Sequence, residues 1–431
     1  MWELYGLSGN PFSTDPIKID SEKIPIASFV SREDDTLNIL INQFKTKGGS
    51  RTMIVGNSGV GKTSFINYAL YLVKNKYFYV TVNVQNGWDT EKFLFNTFSD
   101  ILDSLNKEVI KNGLIKKTAK NLLKKETFEK LESLVELNRI SGENKNISLF
   151  NVAGFGYGKE TSNPAQISFN SLENLFRSIT NQIYEKTEKE TIIVYDDLDR
   201  IENLDKIKEI FDNMKNIFQT EYVHFVFVGN FSVYSTIKEV HSMRGMNMIC
   251  IELKPLSPDK INDIIERRLT SMKLKGADLI KPYKDNSVIA LLYYIYDRNI
   301  KTILSALGSA VVIATSQNNN NRVILTNEEI FNIIFNTMKI AWEHLDSCSR
   351  EILEFLFTMK FLLPMGLTID FISQEMNKNA VDILQRLNGP IKPYVKVELL
   401  NGKETFRLES PEIEYFIFLN NNYYLRKHQN I

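Results

Sequence analysis

The chain has 431 residues, 43% hydrophobic and 24% charged, which suits two or three folded domains. Lys plus Arg and Asp plus Glu both number 52, so net charge gives no ground for strong non-specific nucleic-acid affinity, though a local basic patch stays open. Two cysteines, Cys250 and Cys348, exclude a disulfide framework and a CxxC zinc site, and the four scattered histidines (224, 241, 344 and 428) show no ligand spacing.

In chain order, Met-Trp-Glu-Leu-Tyr-Gly opens without a basic segment or an apolar leader, and no run of 18 apolar residues follows. The expectation is a chain without membrane association, at home in a reducing cytoplasm. Residues 1–30 are irregular, with turn signals at Gly9-Asn10-Pro11-Phe12 and Asp15-Pro16. Ser31-Arg32-Glu33-Asp34 predicts a cap before a helix ending near Lys45.

Arg51–Val55 predicts a short strand, and GNSGVGKTS follows at 56–64. Gly56, Gly61, Lys62 and Thr63 occupy the fixed places of G-x-x-x-x-G-K-[ST]. The physical need is for many donors aimed inward at phosphate oxygens. Glycines let successive backbone N–H groups converge, and the following helix adds its positive end. Asn57, Ser58, Gly59, Val60 and Ser64 complete the cradle; Lys62 is placed to reach the β- and γ-phosphates and Thr63 to ligate Mg²⁺. Phe65–Val73 is helical in composition, so strand, turn and helix come in the required order.

Tyr77–Val84 predicts the next strand and Trp88 to about Leu105 a helix. Lys107–Asn138 is Lys-rich and amphipathic, with apolar Ile110, Leu114, Ile115, Leu122, Leu123, Phe128, Leu131 and Leu134. It reads as solvated helices packed on a core, or as a basic patch for DNA or a partner. Ser148–Lys159 alternates apolar and small residues, as a hairpin or ordered insertion would, and GFGYG lacks the spacing of a dinucleotide site. Leu172–Lys186 predicts a helix. Thr191–Tyr195 is an uninterrupted apolar strand of the buried parallel kind, ending in Asp196-Asp197-Leu198-Asp199-Arg200. A strand ending in carboxylates is the Walker B pattern, with Asp196 holding Mg²⁺ through water and Asp197 polarising the attacking water. A helix over Leu204–Phe218, a strand over Val223–Asn230 and another over Met248–Leu253 complete an alternation that predicts an α/β doubly wound parallel sheet. Gly56, Asp196 and Asn230 all fall at strand carboxyl ends, where such sheets bind ligands.

Ser257-Pro258 predicts a capped helix start, and helical patterning continues to about Ala314. The polar loop Gln317–Asn321 marks a boundary, and Thr326-Asn327-Glu328-Glu329 a capping box. Helices at Leu345–Met359, Thr368–Met376 and Ala380–Leu387 precede strands at Tyr394–Leu399 and Glu404–Leu408, joined by Asn401-Gly402. Three helices and a hairpin is the order of a winged helix. The expected domains are a P-loop core over 1–255 with an insertion at about 106–170, a helical lid over 256–322 and a winged-helix-like domain over 323–431.

On these motifs the chain resembles AAA+ ATPases of the origin-recognition and initiator type, close to STAND-like signalling ATPases. The segments around Tyr5-Gly6-Leu7, Asn10-Pro11-Phe12 and Phe29–Glu33 resemble the adenine-side segment, which implies adenine contacts at Phe29, Val30 and Arg32. VFVGN resembles the sensor-1 strand and implies that Asn230 watches the γ-phosphate. DRNIKTILSAL resembles the lid helix carrying sensor 2, where Lys301 stands in the usual Arg position. The resemblance also implies an Arg reaching into a neighbouring subunit's site, and Arg244 lies where it is expected. Asp197 in place of the usual Glu, and Lys301 in place of Arg, fit a nucleotide switch better than a fast motor. The implied activity is Mg²⁺-dependent ATP hydrolysis, slow or stimulated by a partner, in a homo-oligomer. Two readings of the partner follow. One is DNA, in replication, transposition or anti-phage defence; the other is a separate protein effector recruited by a STAND-like ATPase. Helix Asn379–Arg386, with one Arg and one Asp, is poor in base-reading cations.

Overall fold

The computed structural model describes residues 1–19, 23–32, 34–111, 122–143, 169–360, 362–363, 366–400, 403–410 and 412–419. Ser148–Lys159 and the Asn401-Gly402 turn, both read on sequence, lie outside the described residues, as do Glu33, Leu114 and Ile115. The chain divides into two compact units, residues 16–255 and residues 1–15 with 256–431.

The first unit is built on five parallel strands: β1 (Arg51–Val55), β2 (Phe78–Asn83), β3 (Thr191–Asp196), β4 (Val223–Gly229) and β5 (Met248–Glu252). Their order across the sheet is β2-β3-β4-β1-β5. One strand, β4, therefore separates the P-loop strand from the acidic strand. The register sets Val55 beside Gly229 and Asn83 beside Asp196. β3 and β4 are buried along their whole length. This is why they read as unbroken apolar runs: helices cover both faces, so neither face needs polar residues. Met53, Val55, Ile193, Tyr195, Phe225 and Phe227 share one large core cluster. Their alternating neighbours Ile54, Ile192, Val194, Val226 and Val228 are equally buried.

The Lys-rich segment forms helices Thr90–Lys111 and Lys125–Glu143. Leu123, Phe128, Leu131 and Leu134 enter the core cluster, while Lys130 pairs with Glu126 at 2.7 Å one turn away. The described part of this segment is thus a solvated face on a packed helix. The helix expected over Leu204–Phe218 is two pieces, Leu204–Asn213 and Lys215–Phe218, meeting at the fully buried Met214.

The second unit holds helices Pro258–Ser271, Ser287–Ile295, Ile300–Gln317, Asn327–Glu343, Ser347–Lys360, Ile369–Met376 and Ala380–Leu387, with a further helix over 412–419. Two of the expected caps form: the Ser257 side chain accepts from the Lys260 N–H, and Thr326 makes both halves of a capping box with Glu329, whereas the helix expected after Ser31–Asp34 begins at Thr36 with Asp35 at its N-cap and no side-chain cap bond. By length and composition Ile300–Gln317 is apolar enough to cross a membrane. Burial of Ile303, Leu304, Leu307 and Val311 within the unit accounts for that composition. A three-stranded antiparallel sheet, β6 (Leu367–Thr368), β8 (Lys403–Leu408) and β7 (Val395–Leu400) in that order, packs with the last helices. The short β6 has no counterpart in the sequence reading, because two residues carry no alternation to detect.

Residues 1–15 were assigned on sequence to the P-loop core, and the structure corrects this. Tyr5 is fully buried, its hydroxyl donating to the Val323 carbonyl at 2.9 Å and lying 3.2 Å from Thr315 Oγ1. Arg268, 5% exposed, donates to the carbonyls of Ser13 at 2.7 Å and Pro11 at 3.2 Å. The segment supplies carbonyls that a buried guanidinium needs, so it packs with the helical unit. The same contacts place Tyr5-Gly6-Leu7 and Asn10-Pro11-Phe12 in that unit.

Candidate nucleotide site

Gly56 follows the last residue of β1, and a Cβ there would lie 2.7 Å from the Leu253 carbonyl oxygen and 3.0 Å from Val60 Cγ2. Only glycine permits that approach. Gly61 caps the helix Lys62–Val73 from the left-handed region, at φ 91°. The turn thus delivers a helix N-terminus and a run of backbone N–H groups to one point. Val60 is buried and anchors the loop.

Lys62 is 8% exposed, and its ammonium donates to the Gly56 carbonyl at 2.9 Å and the Asn57 carbonyl at 3.2 Å. Asp199 Oδ2 lies 3.8 Å from it. The Thr63 hydroxyl bonds to the Asp196 carboxylate, which also accepts the Asp197 N–H at 2.9 Å. Burial, then the Asp197 charge, pushes the Asp196 carboxyl up to about 6, against the pull of Thr63, the Asp197 amide and Lys62. A carboxylate held so far from water, beside a second one, is a site that a cation would relieve. Thr63 and Asp196 are also the donor types Mg²⁺ takes, an alcohol and a carboxylate oxygen. The residues present therefore fit the ion.

Asp197 begins the 3-10 turn Leu198–Arg200, and its carboxylate meets Arg200 at 2.8 Å. Asn230 lies just past the tip of β4, where its side-chain oxygen accepts the Val233 N–H at 3.0 Å and caps the helix Phe231–Glu239. The amide NH₂ is then the group that can serve a ligand. Ser64 does not face the loop alone: its hydroxyl accepts the Ile17 N–H at 3.2 Å, and Asn67 donates to the Ile17 carbonyl at 2.8 Å. The start of this unit is so tied to the P-loop helix.

Phe29 and Val30 are buried, and Phe29 stacks on Tyr68 of the P-loop helix with ring centroids 4.0 Å apart. Arg32 braces the loop itself, donating to the Val60 carbonyl at 2.5 Å and to the Lys254 carbonyl. Burial lowers its pKa, opposed by Asp34. Arg244 is exposed, directly after the short turn His241–Met243. Lys301 is exposed on the first turn of Ile300–Gln317, in the other unit.

Three side chains at this site carry no role in the sequence reading. Asp199 and Arg200 stand inside the quoted DDLDR, and their signal was the three-residue spacing that closes Arg200 onto Asp197. Tyr68 offered no signal, since a tyrosine in an amphipathic helix reads as packing.

A family model described as the KAP family P-loop domain matches residues 33–248, just over half of the chain. The chain belongs to that family. The match spans β1 to β4 and reaches only the first residue of β5, and it contains the loop at 56–64, Asp196, Asp197 and Asn230. No curated protein matches the chain in sequence. Among solved structures, the ORC2 protein of Aeropyrum pernix (ADPNP–ADP complexes) is 12% identical, with a TM-score of 0.47, covering 98% of this chain and 99% of that one. Cdc6p of Pyrobaculum aerophilum is 15% identical, with a TM-score of 0.43, covering 93% and 96%. A RuvB mutant of Thermotoga maritima is 10% identical, with a TM-score of 0.38, covering 93% and 97%. The KAP P-loop protein described here is thus an α/β P-loop NTPase by family and by sheet.

Proposed function

We propose that this KAP-family protein is an ATP-dependent assembly switch with slow, partner-stimulated hydrolysis. The observation that carries the reading is the Thr63–Asp196 contact beneath a glycine loop whose lysine is only loosely engaged, by two carbonyls and a carboxylate at 3.8 Å. Lys62 can exchange carbonyl partners for phosphate oxygens, and the loop amides supply the remaining donors. Thr63 and Asp196 would hold Mg²⁺, which would neutralise phosphate charge. Asp197 orients the water, the Asn230 amide faces the γ-phosphate, and Phe29 and Val30 line the adenine side while Arg32 holds the loop. Lys301, in the sensor-2 position by resemblance, carries a point charge without the fork of an Arg. Arg244, exposed, completes the site of a neighbouring copy, which makes the working form a homo-oligomer. The decisive test is calorimetry of ATP with magnesium on the intact chain and on Lys62→Ala. Heat from the first and none from the second supports the reading; equal heats overturn it.

The partner has two readings, DNA or a separate protein effector. We read residues 323–431 as a winged-helix-like domain. Its cations are largely answered by its own carboxylates: Arg386 meets Asp346 at 2.7 Å, Lys396 meets Glu398 at 2.8 Å, and Arg407 meets Glu409 at 3.2 Å. Lys378 also pairs with Glu351. On the expected recognition helix, Val381 is 72% exposed. Paired cations release few counterions from a phosphate backbone, so these observations favour a protein effector of the STAND-like kind over DNA. ATPase rate and sedimentation with and without duplex DNA, at two salt concentrations, separate the two. Salt-sensitive stimulation by DNA supports the first, and indifference to DNA the second. Reduced Cys250 and Cys348 suit a cytoplasmic setting.

A further inference from the structure

The turn that follows β3 holds a charge pair whose cation, Arg200, has no part in the reaction so far. Leu198 is fully buried and Ile201 is 2% exposed, so two apolar anchors fix this turn to the core. Between β3 and those anchors Asp197 takes φ 62° and ψ 36°, a left-handed conformation uncommon outside glycine. The Arg200 N–H closes the turn on the Asp197 carbonyl at 3.0 Å. The Arg200 guanidinium then meets the same residue's carboxylate, Nη2 to Oδ2 at 2.8 Å. Asp199, between them, approaches Lys62 instead.

We infer that Arg200 is a positioning residue that aims Asp197 at the attacking water, an inference that rests on the ATPase reading above. Aspartate is one methylene shorter than glutamate, so a carboxylate that must orient water from here has little reach to waste. Its side chain is one third exposed, and without a partner it samples several rotamers. Arg200 fixes Oδ2 and leaves Oδ1 to accept from water. In the step itself the water oxygen bonds to the γ-phosphorus as the bond to the bridging β–γ oxygen breaks. The electron pair of that bond leaves with ADP, and the water's protons end on phosphate and solvent. Asp197 contributes orientation, and Arg200 acts only through Asp197. At 59% and 33% side-chain exposure the pair adds little to folding stability, so its removal should be felt in geometry.

The test compares the intact chain with Arg200→Ala, Arg200→Lys, Asp197→Asn and the Arg200→Ala/Asp197→Asn double variant. Turnover, calorimetric ATP affinity with magnesium and melting temperature are measured on each. Arg200→Ala is expected to lower kcat by roughly 10- to 100-fold, with ATP affinity held within about twofold and melting unchanged. Arg200→Lys, keeping one donor, recovers part of the loss. In the Asp197→Asn background Arg200→Ala adds nothing, since its effect has no other route. Three results overturn the assignment: normal turnover in Arg200→Ala, faster turnover in it, or a second loss of equal size in the Asp197→Asn background. Binding heat without turnover in the intact chain overturns it too, while leaving nucleotide binding intact. Absence of binding heat in the intact chain overturns the ATP reading, and this inference with it.

Discussion

The two ends of the parallel sheet carry polar clusters of opposite character. At the amino ends, His224 is fully buried at the start of β4. Its Nδ1 is 2.9 Å from Ser50 Oγ and its Nε2 2.7 Å from Glu190 Oε2. The other Glu190 oxygen accepts the Gly48 N–H at 3.3 Å, and the rings of Phe44 and Tyr77 pack edge-on against the imidazole. Every polar atom of that imidazole has a fixed partner within the unit. At the carboxyl ends, three carboxylates crowd two cations, Asp196 is pushed up to about 6, and Lys62 leans on loop carbonyls. A buried polar cluster closed on itself is scaffolding. One left electrostatically strained is waiting for charge from outside.

The sharpest way to break this comparison is Lys62→Ala. Loss of about 4 kcal/mol of ATP binding, roughly 1,000-fold, is expected with melting almost unchanged. A melting loss with retained binding would reverse the roles of the two ends. Next in size, His224→Ala strands Ser50 and Glu190 and should cost about 3 kcal/mol of stability, lowering the melting temperature by roughly 5–10 °C. ATP affinity should stay at its original value, which calorimetry checks.

Asp196→Asn tests the strained end with the opposite sign. The folded pKa of Asp196 lies above its ordinary value, so its charge costs stability as pH rises through about 6. In metal-free buffer at pH 7 the variant should therefore melt higher, by about 2 kcal/mol of stability, while losing magnesium-dependent ATP binding. His224 behaves the other way. Burial lowers its pKa against the opposing Glu190, so its contribution is full above the ordinary histidine value and fades as pH falls below it. Asp196→Asn should accordingly lose stability on acidification more steeply than the intact protein, and His224→Ala less steeply. Matching pH profiles for the two variants would contradict the contrast. The smallest effect is expected of Tyr68→Ala, which removes the ring under Phe29. ATP affinity should weaken by about 1 kcal/mol, roughly fivefold, in the same titration.

Much of the strained end was readable in the chain. Gly56, Gly61, Lys62 and Thr63 stand at spacings that only a phosphate loop requires, and Thr191–Tyr195 runs into carboxylates without a break. Both signals are local, contained within about ten residues. The closed end gave none. Ser50 and His224 are 174 positions apart, Glu190 and His224 34, and a lone histidine in an apolar strand reads the same whether it is satisfied or not. Arg200 fell between these cases: its partner is three residues away, but the contact is made with Asp197 in the left-handed region beside the buried Leu198.

The order of strands and helices, the phosphate loop, the acidic strand end and the caps at Ser257 and Thr326 follow from the sequence alone, because periodicity, glycine spacing and capping side chains act between near neighbours. Tertiary structure decided that β4 divides β1 from β3, that residues 1–15 join the helical unit, and that His224 closes a network while Asp196 stays strained. Those outcomes depend on which distant carbonyls, carboxylates and rings desolvate one another, and that pairing exists only once the chain has packed.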